Sequence, residues 1–201
     1  MDPAVIAIAF GAIFLVELPD KTFIAALVLS TRYKPLAVWI GVGLAFFVQT
    51  LIAVLAGHLA TFLPDALIKS VALVIFLVGA VVLIRSAPGA DEEEKHQEEE
   101  YAAKAFDSRT GLKAVAASFL VLFAAEWGDL SQLLTISMIA KYGHPLSVFV
   151  GAWAALLTVS GIAVLAGRVL LRYLKLSLLH YVGATVCLVL AVVTLVEIFA
   201  G

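Results

Sequence analysis

Two short polar segments within apolar sequence hold the residues best suited to chemistry. The first, ELPDKT, contains Glu17 and Asp20, and the second, EWGDLSQ, contains Glu126 and Asp129. In each segment the Glu and the Asp are three residues apart, so on a helix both carboxylates project from one face. Carboxylates gathered in this way bind cations, and they bind protons when no cation is present. The sequence therefore predicts that these four residues are shared ligands for a metal ion and for protons.

The flanking residues add oxygen ligands. Thr22, Ser131 and Gln132 supply hydroxyl or amide oxygens, and neither segment contains His or Cys. Oxygen-only ligation favours hard cations such as Ca²⁺ or Mn²⁺ over Zn²⁺ or Cu⁺. Gln49 is an uncommon side chain for the middle of an apolar helix. We expect it to be an auxiliary ligand or to line the cation pathway.

Lys21 is the single basic residue of the two segments. Its ammonium group either acts as a counter-ion that leaves when a cation binds, or snorkels along its helix towards water. Pro19 and Gly128 are predicted helix breakers, because Pro19 cannot donate to the carbonyl of Leu15 and Gly128 loosens the matching place in the second segment. Local unwinding would expose carbonyl oxygens as further ligands.

The composition predicts an all-α integral membrane protein. Of the 201 residues 63% are hydrophobic, and the mean hydropathy of +1.09 lies outside the range of soluble globular domains. A membrane span needs about 20 apolar residues, and six stretches qualify: 4–29, 36–60, 70–84, 114–140, 146–167 and 178–199. The polar segments lie in the first and fourth stretches, where each charge costs roughly 2.5–3.5 kcal/mol on insertion. Four carboxylates there must be neutralised by protons, by a cation or by an internal partner.

The chain consists of two related halves. The sequence IAVLAG at residues 52–57 recurs at 162–167, and Pro35 and Gly41 align with Pro145 and Gly151 at the same offset. Three helices per half is an odd number, so the second half must enter the membrane from the opposite side, as in the inverted repeats of secondary transporters. The predicted organisation is a first three-helix repeat at 1–85, an acidic linker at 86–112 and a second three-helix repeat at 113–201.

The linker is interpreted as a solvated tether, because the runs DEEE and EEE cannot bury enough apolar surface to fold alone. Ten basic residues lie on the linker's side of the predicted membrane: Arg32, Lys34, Arg85, Lys95, Lys104, Arg109, Lys113, Arg168, Arg172 and Lys175. The other side has only Lys69 and Lys141. The positive-inside rule then predicts a cytoplasmic linker and both termini outside, in a plasma (inner) membrane.

The two segments resemble the Glu-x-Gly-Asp-Lys/Arg-Thr/Ser motifs of the Gdt1 family. Glu17, Asp20 and Thr22 match the first motif, and Glu126, Gly128, Asp129 and Ser131 match the second. The resemblance covers essentially the whole chain. It implies six membrane helices in two halves and exchange of Ca²⁺ or Mn²⁺ for protons. Pro19 replaces the expected Gly and Leu130 replaces the expected basic residue, so we expect the two half-sites to be electrostatically unequal.

Other functions fit the same residues. An exporter of another cationic solute would favour aromatic side chains near the carboxylates, and Trp127 is the obvious one. An uncoupled cation channel would pass current without proton movement, and a scaffold would not depend on the carboxylates. No catalytic residues and no bound cofactor are predicted. The expected partners are the lipid bilayer, the transported Mn²⁺ or Ca²⁺ and protons, with no nucleic acid, and a homo-oligomer is compatible with the sequence.

Overall fold

A computed structural model of the protein describes residues 1–18, 20–60, 62, 64–104, 111–173 and 176–200, and all regular structure in these ranges is helical. The helices are α1 (Pro3–Glu17), α2 (Lys21–Arg32), α3 (Pro35–Ala60), α4 (Asp65–Ser86), α5 (Ala90–Lys104), α6 (Leu112–Ala125), α7 (Leu130–Tyr142), α8 (Pro145–Tyr173) and α9 (Leu176–Ala200). A 3-10 turn at Ala87–Gly89 joins α4 to α5. Proline begins α3 and α8, where its missing N–H is not needed by the helix.

The prediction of a helical membrane protein is confirmed. By length and composition α3, α4, α8 and α9 are each able to cross a membrane, and the number of spans rises to six if each bent pair counts as one span. The two pairs are α1 with α2, bent by 69°, and α6 with α7, bent by 72°. The predicted stretches 4–29 and 114–140 are therefore each two helices that meet at a polar segment. Helix α4 is longer than the predicted stretch 70–84 because it begins at Asp65, directly after Pro64.

Helices of one half pack against helices of the other. Helix α1 packs on α8, α3 on α6, and α4 on α9. A Cβ atom at Gly41 would overlap the carbonyl oxygen of Val115, and one at Gly151 would lie 2.5 Å from the carbonyl oxygen of Ile6. These two glycines occupy matching places in the repeat, so the same close helix approach occurs in both halves.

Two tryptophans connect the central helices. The indole Nε1 of Trp153 on α8 donates to the carbonyl of Gly43 on α3 at 3.1 Å, and Trp39 on α3 donates to the carbonyl of Leu157 on α8 at 3.0 Å. In the first bond α8 donates to α3, and in the second α3 donates to α8. Because an indole N–H has few other partners in apolar surroundings, both bonds fix the distance between α3 and α8.

The linker differs from the predicted solvated tether over residues 90–104, which form α5. This helix packs against α2, and both Ala90 and Tyr101 are buried. Glu92, Glu99 and Glu100 are exposed. These three carboxylates thus lie on a solvated part of α5, while the buried Ala90 and Tyr101 attach the helix to the rest of the protein.

Charged side chains tie three helix ends together on the side away from the linker. The ammonium group of Lys141, at the end of α7, lies 3.4 Å from Oε2 of Glu197 and 3.1 Å from the hydroxyl of Thr194, both on α9. Lys69 on α4 donates to the carbonyl of Glu197 at 3.3 Å. The Lys141 side chain is only 3% exposed, whereas the Glu197 side chain is 41% exposed, so the ion pair is buried on the lysine side and open on the carboxylate side.

We expect Gly151→Ala to destabilise the protein, because the new Cβ would press on the α1 backbone at Ile6, which cannot move aside as a flexible side chain would. Overpacking of this kind typically costs about 1–3 kcal/mol, and it would be measured as a lower melting temperature in detergent. Gly11→Ala is the matched control, since no atom lies within 4 Å of its new Cβ. The control should melt at or above the wild-type temperature, and equal melting of Gly151→Ala would contradict the close approach of α1 and α8.

Candidate cation site

The two helix breaks place carboxylates at helix ends. Glu17 is the last residue of α1, and Asp20 is the residue before α2. Glu126 follows α6 and Asp129 precedes α7 in the same way. Neither Asp side chain caps its own helix, so both stay available for other partners. Gly128, with φ of +77°, makes the second break with a left-handed backbone that glycine adopts readily.

The four carboxylates meet in one place. One carboxylate oxygen from each of Glu17, Asp20, Glu126 and Asp129 lies within 4.8 Å of all the others. Glu17 is fully buried and Glu126 is 1% exposed, while both Asp residues are half-buried. The cluster therefore takes two ligands from each half of the chain, and neither half can form it alone.

Two contacts join the halves across this cluster. The ammonium group of Lys21 lies 2.8 Å from Oδ1 of Asp129, and the hydroxyl of Thr22 donates to Oε1 of Glu126. In both, a side chain from the start of α2 satisfies a carboxylate of the second half. The residue that matches Lys21 is Leu130, which packs towards Gly79 on α4. The second half therefore supplies no ammonium group to Asp20, and the two half-sites differ in charge.

Three carboxylate oxygens in the cluster lack hydrogen-bond partners among the described residues. They are both oxygens of Glu17 and Oε2 of Glu126, all fully buried. Ser131 lies beside Glu17, as Thr22 lies beside Glu126, but it makes no hydrogen bond to Glu17 within normal geometry. Leaving a buried carboxylate oxygen without a donor or a cation costs several kcal/mol. The described residues thus leave ligand positions that a metal ion or protons would fill.

The other residues predicted for the site, Gln132, Gln49 and Pro19, are not among the four clustered carboxylates. Oε1 of Gln132 accepts from the backbone N–H of Gly128 at 3.0 Å, so this side chain supports the break, while its buried Nε2 has no partner among the described residues. Nε2 of Gln49 donates to the carbonyl of Phe123 at 2.9 Å. Gln49 therefore satisfies a carbonyl near the end of α6, three residues before Glu126. Pro19, predicted to break the first helix, lies outside the described residues.

Two aromatic residues near the polar segments differ in exposure. The Trp127 side chain is 63% exposed and packs at a tilt against Phe123, with the ring centroids 5.3 Å apart. Tyr101 on α5 was not predicted, yet it is buried and interacts electrostatically with Glu126, Lys21 and Asp20. The only sequence signal for it was the short apolar stretch YAA directly after the last acidic run.

Known proteins resemble this chain over nearly its whole length. A sequence model of the family described as "Divalent cation/proton antiporter GDT1" matches residues 5–91 and 114–201. "GDT1-like protein 1, chloroplastic" from Oryza sativa subsp. indica is 32% identical over 212 residues, which cover 96% of this chain and 62% of the relative. "Protein PAM71, chloroplastic" from Arabidopsis thaliana is 33% identical over 210 residues, covering 96% of this chain and 56% of the relative.

A third relative is similar in length to this chain. "GDT1-like protein sll0615" from Synechocystis is 33% identical over 184 residues, which cover 85% of this chain and 89% of the relative. The chain spans about three-fifths of the length of the two chloroplast relatives. No solved structure matches it. Because the family match includes both polar segments and extends over both halves, the chain belongs to the GDT1 family, which is described as divalent cation/proton antiporters.

Proposed function

We propose that this protein exchanges a divalent cation, Mn²⁺ or Ca²⁺, for protons across a membrane, with Glu17, Asp20, Glu126 and Asp129 as the shared ligands. One observation carries the proposal: carboxylates from both halves converge within 4.8 Å, and three of their buried oxygens have no partner among the described residues. The description of the family supports the class of reaction.

The ligand set supports a hard cation. Every candidate ligand atom in the cluster is a carboxylate or hydroxyl oxygen, and Ca²⁺ takes about six to eight such oxygens. The imidazole and thiolate ligands that select Zn²⁺ or Cu⁺ are absent from the two polar segments. Four acidic groups in the same cluster also attract a doubly charged ion more strongly than a singly charged one.

Exchange follows from competition for the same oxygens. Ionised carboxylates this close repel one another in a buried site, so an empty site must take up protons. A bound divalent cation replaces that positive charge, and the protons leave. Because cation and protons alternate on one set of ligands, movement of either across the membrane is coupled to movement of the other.

Lys21 is the internal competitor of the cation. Its ammonium group occupies Asp129 at 2.8 Å, so a cation that uses both oxygens of Asp129 must displace it. The second half has no equivalent group because Leu130 stands at the matching position. We infer that the first-half carboxylates hold the cation or the proton more tightly, and that Asp129 is the ligand that exchanges its partner.

The two halves are inferred to be inverted repeats, with the linker in the cytoplasm. Support for inversion comes from the contacts that recur in both halves, at Gly41 with Val115 and at Gly151 with Ile6. Support for the orientation comes from the basic residues, which are concentrated on the linker's side. In such a repeat, rocking of one half against the other would open the central site to each side in turn.

We expect Glu17→Gln and Asp129→Asn to abolish coupled transport, because each removes one shared ligand. Loss of supporting groups at metal sites already costs about 10–100-fold in affinity, so loss of a ligand should slow Mn²⁺ flux at least as much. The measurement is Mn²⁺ uptake with simultaneous proton release in proteoliposomes under an imposed pH gradient.

The control for this experiment is Glu92→Gln, which neutralises an exposed carboxylate on α5 and should leave both fluxes unchanged. Wild-type flux in both site variants would exclude these carboxylates as ligands. Cation flux without proton movement in the wild type would indicate a channel instead of an exchanger.

We expect Lys21→Met to strengthen Mn²⁺ binding at pH 8 by about tenfold, since the cation no longer has to break a charged hydrogen bond worth roughly 1.5 kcal/mol. The dissociation constant can be measured by calorimetry on the purified protein. Lys69→Met is the control, because Lys69 contacts the Glu197 carbonyl and lies away from the cluster. Weaker binding in Lys21→Met, with no change in the control, would show that Lys21 supports the bound cation.

A further inference from the structure

The acidic linker helix α5 lies against the half of the site formed by α2. Helix α2 begins with Lys21 and Thr22, which contact Asp129 and Glu126. Helix α5 packs on α2 and, to a lesser degree, on α9. A segment that the sequence predicted to be solvated therefore packs against the helix whose first residues contact two of the carboxylates.

Tyr101 is the side chain through which α5 reaches the site. It is 5% exposed and belongs to the apolar core, with the partly buried Ala102 packed beside it. Its phenol interacts electrostatically with Glu126 of the second half and with Lys21 and Asp20 of the first. Tyr101 thus belongs to the apolar core and also lies within electrostatic range of both halves of the cluster.

Tyr101 lies within electrostatic range of charged groups from both the cluster and its own helix. Glu126, Lys21 and Asp20 act on its phenol from the cluster, and Glu100 acts on it from α5, where both Glu99 and Glu100 are exposed. Burial raises the pKa of the Tyr101 phenol to about 12, and the nearby negative charge of Glu126 adds to this effect. The phenol is therefore neutral at physiological pH, and a neutral aromatic ring is a poor path for water and ions.

We propose that α5 is a lid over the cation site and that the ring of Tyr101 seals the site against water from the linker's side. That the covered cluster is a cation site rests on the proposed function. An exchanger needs such a seal, because a site open to both sides at once would let protons leak without cation. Helix α5 suits a movable lid, since its polar composition gives it few apolar contacts and local opening costs least where such contacts are few.

The test is chemical access to the buried carboxylates. Protein in nanodiscs is treated with a water-soluble carbodiimide and an amine, and modification of Glu17 and Glu126 is followed by mass spectrometry. Tyr101→Ala should raise the modification rate of both residues several-fold. Tyr101→Phe, which keeps the ring, should react like the wild type, and so should Glu99→Gln on the exposed face of α5.

Two outcomes would overturn the lid. Wild-type modification rates in Tyr101→Ala would show that the ring seals nothing, and an equal increase in Tyr101→Phe would show that the ring is not the seal. Melting temperatures of all variants are measured in parallel, and an increase counts only where melting is unchanged. If Tyr101→Ala melts early, Tyr101→Leu replaces it, because leucine keeps an apolar side chain at this buried position and removes the ring. Unchanged rates in Tyr101→Leu then overturn the proposal.

The same samples separate the lid from the exchange reaction. Protection of Glu17 and Glu126 by added Mn²⁺ reports on cation binding in the wild type. If Tyr101→Ala speeds modification but Mn²⁺ does not slow it, the lid is supported and the proposed function is contradicted. If Mn²⁺ slows modification but Tyr101→Ala does not change its rate, the proposed function is supported and the lid is contradicted.

Discussion

The cost of burying four carboxylates among apolar helices is the constraint on which the rest of the structure depends. Two of them, Glu17 and Glu126, are almost completely removed from solvent. A chain that placed such groups there without partners would lose several kcal/mol for each. The structure offsets part of this cost with Lys21 and Thr22, which reach across to Asp129 and Glu126. What remains uncompensated is concentrated on Glu17, and that residual cost is what a cation or a proton relieves on binding.

Helix breaks and close helix packing both serve this cluster. Unbroken helices would keep Asp20 and Asp129 inside regular turns, whereas the breaks place each at the start of a new helix. The positive end of a helix dipole favours negative charge at that point. Tight contacts such as that between Gly151 and Ile6 bring the two halves near enough for their carboxylates to meet. The helix breaks and the close helix contacts therefore both help to bring the four carboxylates together.

Much of this arrangement could be predicted from the sequence because charge and repetition are strong signals in apolar sequence. The spacing of Glu17 and Asp20, repeated at Glu126 and Asp129, indicated paired carboxylates in two related helices. The family resemblance rested on the same residues and is confirmed. The partner of Lys21 could not be predicted, since either second-half carboxylate was within its reach.

Other features depended on contacts that sequence patterns do not record. The composition of the linker described its solvated face correctly but concealed Tyr101, one aromatic residue after a run of glutamates. Gln49 was predicted to be an auxiliary ligand or to line the pathway, and the hydrogen bond from its Nε2 to the carbonyl of Phe123 was not predicted. A polar residue in a membrane helix signals a polar partner, and the sequence does not distinguish a ligand from an unsatisfied backbone group.

The ion pair at the far end of α7 determines how that helix can move. Helix α7 has 13 residues and is therefore a stiff rod of about 20 Å, with Asp129 at one end and Lys141 near the other. Lys141 is held by Glu197 and Thr194 of α9, and Asp129 is held by Lys21 of α2, so charged contacts anchor the rod at both ends. Displacing Lys21 from Asp129 would leave only the Lys141 contacts among these, and a small tilt of α7 about them would then have its largest movement where the cation would sit.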